Sequence, residues 1–130
     1  MSDEAPKVGV LAASPSELPI MRQAGLILEK FGVPHEIRIM SSSRNPDLVD
    51  EYARTASERG LNVVICSTGM SGHLAAAVAA RTILPVIGVP IASSLTSTPL
   101  LPHARRCLGG TASHRTRAAR RLRTHGRERR

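Results

Sequence analysis

The side chains best suited to chemistry fall in three short polar segments, Ser14-Pro15-Ser16-Glu17, Ser41-Ser42-Ser43-Arg44-Asn45-Pro46 and Ser67-Thr68-Gly69-Met70-Ser71-Gly72-His73. Ser14 and Ser16 offer hydroxyls beside a predicted helix start, where free backbone N–H groups and a partial positive charge favour a phosphate. The alternative is that both serines only cap the helix. The segment is not GxGxxG, so a dinucleotide site is not supported. Arg44 stands between serines and a helix cap, where a guanidinium can hold a phosphate through two parallel hydrogen bonds or simply be solvated. Gly69 and Gly72 permit close backbone approach to a ligand. His73 then lies in the first turn of a helix, whose N-terminus disfavours the imidazolium and suits a neutral hydrogen-bond partner, unless the residue is structural.

Each polar segment follows a short apolar run, and the runs at residues 7–12, 36–40, 61–66 and 85–89 read as four strands. Between them the period changes to helical. Leu18, Met21, Ala24, Leu28 and Phe31 recur at three- and four-residue spacing, with Ser16 as N-cap, Glu17 in the first turn and Gly32 at the stop. Asn45 is the expected cap of a second helix with Pro46 at its first position, an apolar face of Leu48, Val49, Tyr52, Ala53 and Ala56, and Gly60 at its end. An Ala-rich third helix runs to about residue 81. Near-continuous Val/Ile strands alternating with amphipathic helices predict a parallel sheet covered on both faces: a three-layer α/β/α sandwich, flavodoxin-like or Rossmann-like. In such a sheet the strand carboxyl ends face one crevice, so the three polar segments are expected to converge on one small molecule.

Length and charge set the outer bounds. The 130 residues suffice for one domain. Residues 1–102 hold eight Lys/Arg against nine Asp/Glu, whereas residues 103–130 hold ten Arg against one Glu. The net charge of +8 therefore belongs to the tail, and a near-neutral body with a basic appendage is not a basic fold. Phe31 and Tyr52 are the chain's only aromatic residues, and both fall on predicted helix faces, so no base-stacking platform is expected. The Arg-rich tail would bind nucleic acid only non-specifically and in a salt-dependent way. Cys66 and Cys107 lack CxxC spacing and a His partner, which argues against a disulfide framework or a metal site. The acidic N-terminus and the lack of a membrane-length apolar run predict a soluble cytoplasmic protein with no membrane partner.

The loop residues also carry a resemblance. Residues 8–90 look like the PurE family of purine biosynthesis, the N5-carboxyaminoimidazole ribonucleotide mutases and the catalytic subunit of phosphoribosylaminoimidazole carboxylase. The family's Gly-Ser-x-Ser-Asp-x-Pro is matched by Ala13-Ser14-Pro15-Ser16-Glu17-Leu18-Pro19, and its Ser-Ala-His-Arg-Thr-Pro by Ser41-Ser42-Ser43-Arg44-Asn45-Pro46. Its Gly-Gly-Ala-Ala-His-Leu is matched by Gly69-Met70-Ser71-Gly72-His73-Leu74, and Leu84-Pro85-Val86-Ile87-Gly88-Val89-Pro90 is close to a family strand, with the spacing kept throughout. The resemblance implies a carboxyl shift on aminoimidazole ribonucleotide, from the N5 carbamate to ring carbon 4, in IMP biosynthesis or a related pathway, with no cofactor and no metal. It implies that Ser16, Ser41 and Arg44 hold the ribose phosphate and that Glu17 holds ribose hydroxyls. Ser14 and the 69–73 loop, with Gly69 and Gly72, would surround the migrating carboxylate and the imidazole.

The departures from the pattern are as informative. Ser43 stands at the position of the family's proton-transfer histidine, and a serine hydroxyl is no acid or base near neutral pH. His73 is the imidazole left in the matched loops and the candidate substitute. Glu17 keeps the family's charge on an arm one methylene longer, while Ala13 and Met70 crowd places where the family has glycine. The alternative to an active mutase is therefore a catalytically impaired pseudoenzyme that binds a ribonucleotide or assembles with a homologue. After Ser94 the family continues through a substrate loop, a last strand and a long helix that packs in an octamer. Here residues 95–130 are a basic stretch expected to be a disordered tail and the product of a truncated or frameshifted copy, leaving residues 1–94 as an incomplete domain with doubtful oligomer assembly. An open sheet edge and poor solubility are expected to follow.

Overall fold

Parallel pairing of four short strands is the feature from which the rest of the molecule is built. The computed structural model describes residues 4–69 and 73–91. β1 (Val8–Ala12), buried along its whole length, pairs with β2 (His35–Ile39) on one side and with β3 (Val63–Thr68) on the other. β3 in turn pairs with β4 (Val86–Pro90), so the sheet is all parallel in the order β2-β1-β3-β4. That order is the flavodoxin-like one of the two expected, and its direction reverses between β1 and β3.

The connections supply the outer layers. A 3-10 turn at Pro15–Glu17 leads into α1 (Leu18–Lys30), α2 (Pro46–Thr55) joins β2 to β3, and α3 (His73–Ala79) precedes β4. Alternation along the strands sends Leu11, Val64, Cys66 and Val86 to the face covered by α2 and α3, where they meet Val49, Tyr52, Ala53, Leu74 and Val78. Val8, Val10 and Ala12 face α1 and meet Met21, with Leu18 and Leu28 partly buried beside them. Each fully buried side chain of this kind is worth roughly 1.5–3 kcal/mol relative to exposure. The two faces together make the expected α/β/α sandwich.

Several sequence expectations are corrected at their edges. Ser16 is not a helix cap: it lies inside the 3-10 turn, and neither it nor Ser14 makes a capping hydrogen bond. Asn45 occupies the N-cap position of α2, yet its side chain makes no cap bond either. Phe31 falls one residue past α1 and is 75% exposed, and Leu48, in the first turn of α2, is 48% exposed. β3 starts and ends two residues later than its apolar run, because Ser67 and Thr68 still pair with Val89 and Pro90. α3 ends at Ala79 rather than near residue 81. Gly32 stands directly after the α1 C-cap Phe31, at φ +67°, a region that glycine enters without steric cost, whereas Gly60, at φ +90°, closes the turns that follow α2 and does not mark its end at Thr55. Coverage is uneven on the α1 face, where α1 lies over β1 and β2 and Ile87 of β4 stays exposed. Met70, Ser71, Gly72, Cys107 and the expected tail from residue 95 onward lie outside the described residues.

Candidate functional site

The carboxyl ends of β1 and β3 lie side by side at the point where strand order reverses, and the first and third polar segments meet there. Backbone bonds carry the pairing to this end of the sheet: Met40 N–H donates to Ala12 O at 2.9 Å and Ile91 N–H to Thr68 O at 3.0 Å. The chain leaves β1 at Ala13, whose N–H donates to Ser67 Oγ at 2.8 Å and also reaches Glu17 Oε2 at 3.2 Å. The Ser67 hydroxyl, fully buried, donates in turn to Glu17 Oε2 at 2.5 Å. Glu17 is delivered to this place by the 3-10 turn, which reverses the chain so that residue 17 comes back over Ala13.

Gly69 follows directly. A Cβ at this position would stand 3.1 Å from Glu17 Oε1, tighter than an unstrained contact, so the missing side chain makes room for the carboxylate. Close approach to a ligand is the expectation at Gly69; the group that approaches it among the described residues is the protein's own Glu17. Ser14 and Ser16 hydroxyls bond each other at 2.8 Å on the outer side of the same turn, with Ser16 exposed.

The second segment is organised by Ser41. Its Oγ accepts from the backbone N–H of Ser43 and of Arg44, each at 3.3 Å, and lies 3.0 Å from the Ser43 Oγ. The Ser41 carbonyl accepts from Asn45 N–H at 2.8 Å, closing the loop onto the start of α2. Arg44 is exposed and forms no ion pair among the described residues, so its guanidinium stands open to solvent at a strand carboxyl end. His73 is the first residue of α3 and is exposed. Among the described residues no hydrogen bond joins Ser43, Arg44 or His73 to Glu17 or Ser67. Strand order places the second segment beside the first, whereas the close cluster is made of Ala13, Glu17, Ser67 and Gly69.

Ser67 is the member of this cluster that sequence reasoning passed over. Its signal in the sequence is a small hydroxyl residue directly after the apolar run, and the end of that run at Cys66 places it in the loop. A separate open cleft of about 520 Å³ lies between β2 and α2, lined by Arg38, Met40, Leu48, Tyr52 and Arg59 among others, and contains none of the loop residues. Among the described residues no three His, Cys, Asp or Glu side chains are grouped as a metal would require, and no helix is long and apolar enough to cross a membrane.

Residues 7–103 match the AIR carboxylase family model. The N5-carboxyaminoimidazole ribonucleotide mutase of Pyrococcus horikoshii is 50% identical over 93 residues, covering 72% of this chain and 52% of that protein. The enzyme of the same name from Mycobacterium tuberculosis is 48% identical over 88 residues, or 68% of this chain and 51% of its own length. The phosphoribosylaminoimidazole carboxylase of Schizosaccharomyces pombe is 50% identical over 91 residues, 70% of this chain and 16% of that one. The crystal structure of Treponema denticola PurE superposes with a TM-score of 0.61 at 18% identity, covering 96% of this chain and 99% of that chain, and shows the same fold. The chain spans about half the length of the mutases it matches. With the family model matched across residues 7–103, the chain belongs to the AIR carboxylase (PurE) family.

Proposed function

We propose that residues 1–94 form the ligand-binding unit of a carboxyl-shift enzyme that acts on an aminoimidazole ribonucleotide in purine (IMP) biosynthesis in the cytoplasm, without cofactor or metal. The observation that carries this reading is the meeting of Glu17, Ser67 and Gly69 at the β1/β3 crevice, with the Ser41–Arg44 loop on the neighbouring strand, in a chain of this family.

In that reading Ser16, Ser41 and Arg44 bind the 5′-phosphate, Arg44 as the cation and the serines as neutral donors. Glu17 is the acceptor for ribose hydroxyls. Ser14 and the loop that contains Gly69, Gly72 and His73 enclose the imidazole. The reaction breaks the N–C bond of the N5 carbamate, releasing CO2 and an amine that takes up a proton. Carbon 4 of the ring then bonds to the same CO2 and loses its own proton. Atoms balance with no other reactant, so the protein's task is to hold CO2 beside carbon 4 and to move one proton.

Ser43 favours a second reading. Its hydroxyl faces Ser41 and cannot move that proton near neutral pH, so ligand binding without turnover is the alternative, with His73 as the group that would restore transfer. The discriminating experiment incubates the full chain with N5-carboxyaminoimidazole ribonucleotide labelled with carbon-13 in the carbamate and follows the label by NMR. Transfer of the label to carbon 4 supports the mutase reading. Tight binding with the label unmoved supports the binding reading, and no binding removes both. Sedimentation of the same sample tests the family expectation of a homo-oligomer.

A further inference from the structure

From the contacts at the crevice we infer that Ser67 is an affinity-determining residue, which latches Glu17 onto the sheet end so that ligand must displace it. The inference rests on the ribonucleotide reading above and adds a device to it.

Three contacts define the latch. The buried Ser67 hydroxyl donates to Glu17 Oε2 at 2.5 Å, Ala13 N–H reaches the same oxygen at 3.2 Å, and Oε1 points toward Gly69, where a Cβ would stand 3.1 Å away. The carboxylate is thus turned onto the protein's own atoms across β1 and β3. A carboxylate that serves ribose hydroxyls must instead offer its oxygens to the ligand. Reach explains how this arises: a glutamate side chain is one methylene longer than the aspartate of the family pattern. Ser67 supplies the donor that holds the longer arm down.

A hydrogen bond to a charged group is stronger than one between neutral groups, so breaking it on binding lowers affinity. Removing Ser67 Oγ takes away the shorter of the two bonds on Glu17 Oε2 and leaves only the 3.2 Å contact from Ala13 N–H, at no cost to the ribose contact. Shortening the arm does the same, since an aspartate carboxylate falls short of Ser67. Deleting the carboxylate removes the latch and the ribose acceptor together.

The test is calorimetric titration of the full chain and its variants with aminoimidazole ribonucleotide, combined with NMR of the backbone amides of Ala13 and of residues 41–44. Ser67→Ala and Glu17→Asp are each expected to bind about tenfold more tightly than the parent, a change of the size associated with one charge-assisted bond. Glu17→Ala is expected to bind more weakly. In the parent, ligand should shift the Ala13 amide as Glu17 leaves it. Should Ser67→Ala fail to fold, Glu17→Asp carries the comparison, because it leaves the buried serine in place. Equal or weaker binding by a folded Ser67→Ala or Glu17→Asp, with the residue 41–44 amides still responding to ligand, overturns the latch. Silence of both sets of amides overturns ribonucleotide binding, and the latch with it.

Discussion

Tyr52 places its hydroxyl directly over Gly9, so close that a Cβ on residue 9 would overlap the oxygen. Gly9 is the register partner of Glu36 across the β1–β2 pair, and the Tyr52 hydroxyl donates to Glu36 Oε1 at 2.7 Å. The side chain therefore spans from α2 over β1 to β2, and the gap left by a glycine is its path. Arg59 closes the arrangement, with its Nη1 2.9 Å from Glu36 Oε1 and its guanidinium 4.5 Å from the Tyr52 ring centre. Because the Ser41–Arg44 loop feeds straight into α2, this anchoring also sets the direction from which that loop meets the crevice.

Gly9→Ala is expected to destabilise the fold by about 1–3 kcal/mol, the usual cost of forcing extra volume into a packed site. Tyr52→Phe should cost a similar amount through loss of a bond to a charged acceptor. The double variant should be less destabilised than the sum, since the phenylalanine removes the atom that the new methyl strikes. Urea unfolding of the four proteins checks this, and strict additivity would show that the two residues do not meet.

Stability should also depend on the charge of Glu36. Burial acts to raise its pKa, but hydrogen bonds from Tyr52 and Arg59 and the charges of Arg59 and Arg38 outweigh burial and hold the carboxyl below its ordinary value. A carboxyl depressed in the folded state contributes stability that is present above the unfolded value, near 4.3, and lost as pH falls through the folded one. Glu36→Gln should therefore be less stable than the parent at pH 7. The gap should narrow below about pH 4.3 and keep closing as the pH drops further. A gap independent of pH would deny the charge its role.

How far the sequence could be read differs between fold and site for a physical reason. Helix and strand identity follow from local periodicity, and Val8–Ala12, Met21, Val49 and Tyr52 are buried as their spacing requires. Sheet order does not follow from local pattern, because pairing joins residues far apart; choosing the flavodoxin-like order needed the β1–β3 register. Phe31 and Leu48 fit their helical periods and are exposed all the same: Phe31 lies one residue past α1, and Leu48 lies in the first turn of α2 beside the buried Val49. Loop motifs pointed to Glu17 and Gly69 through resemblance. Ser67 escaped because its role depends on β3 reaching two residues beyond its apolar run, which only the pairing with β4 decides.

Cys66 offers a check on the core. Its thiol is fully buried and burial pushes its pKa up to about 12, so the reactive thiolate is scarce at neutral pH. Native protein treated with iodoacetamide at pH 8 should leave the peptide containing Cys66 unmodified, while urea-unfolded protein should be alkylated there. Ready labelling of Cys66 in the native state would place it outside the α2/α3 face of the sheet.

Arg44 is the residue on which phosphate affinity should depend most. Its guanidinium is exposed at a strand carboxyl end, and the loop beneath it is held by Ser41 rather than by Arg44 itself. Arg44→Ala is expected to leave the melting temperature unchanged and to weaken binding of aminoimidazole ribonucleotide by roughly 10–100-fold, the worth of one charged hydrogen-bonding partner. Arg44→Lys should recover only part of this, because an ammonium lacks the planar fork. Equal losses for the nucleoside without its phosphate would mean that Arg44 touches another part of the ligand.

Ser43→His is the substitution that tests whether position 43 limits the carboxyl shift. Ser43 sits in the loop ordered by Ser41, exposed, with its hydroxyl 3.0 Å from the Ser41 hydroxyl, so an imidazole can be accommodated there without disturbing a packed core. A positioned general acid or base is worth about 10²–10⁴-fold in rate. The histidine variant should therefore raise kcat for the carboxyl shift by that order, with KM changed little, because the phosphate and ribose contacts stay as they were. Its kcat should also acquire a pH dependence near the ordinary histidine pKa of about 6.5. A rate unchanged at every pH, with ligand still bound, would show that position 43 does not limit the carboxyl shift and turn attention to Glu17 held on Ser67.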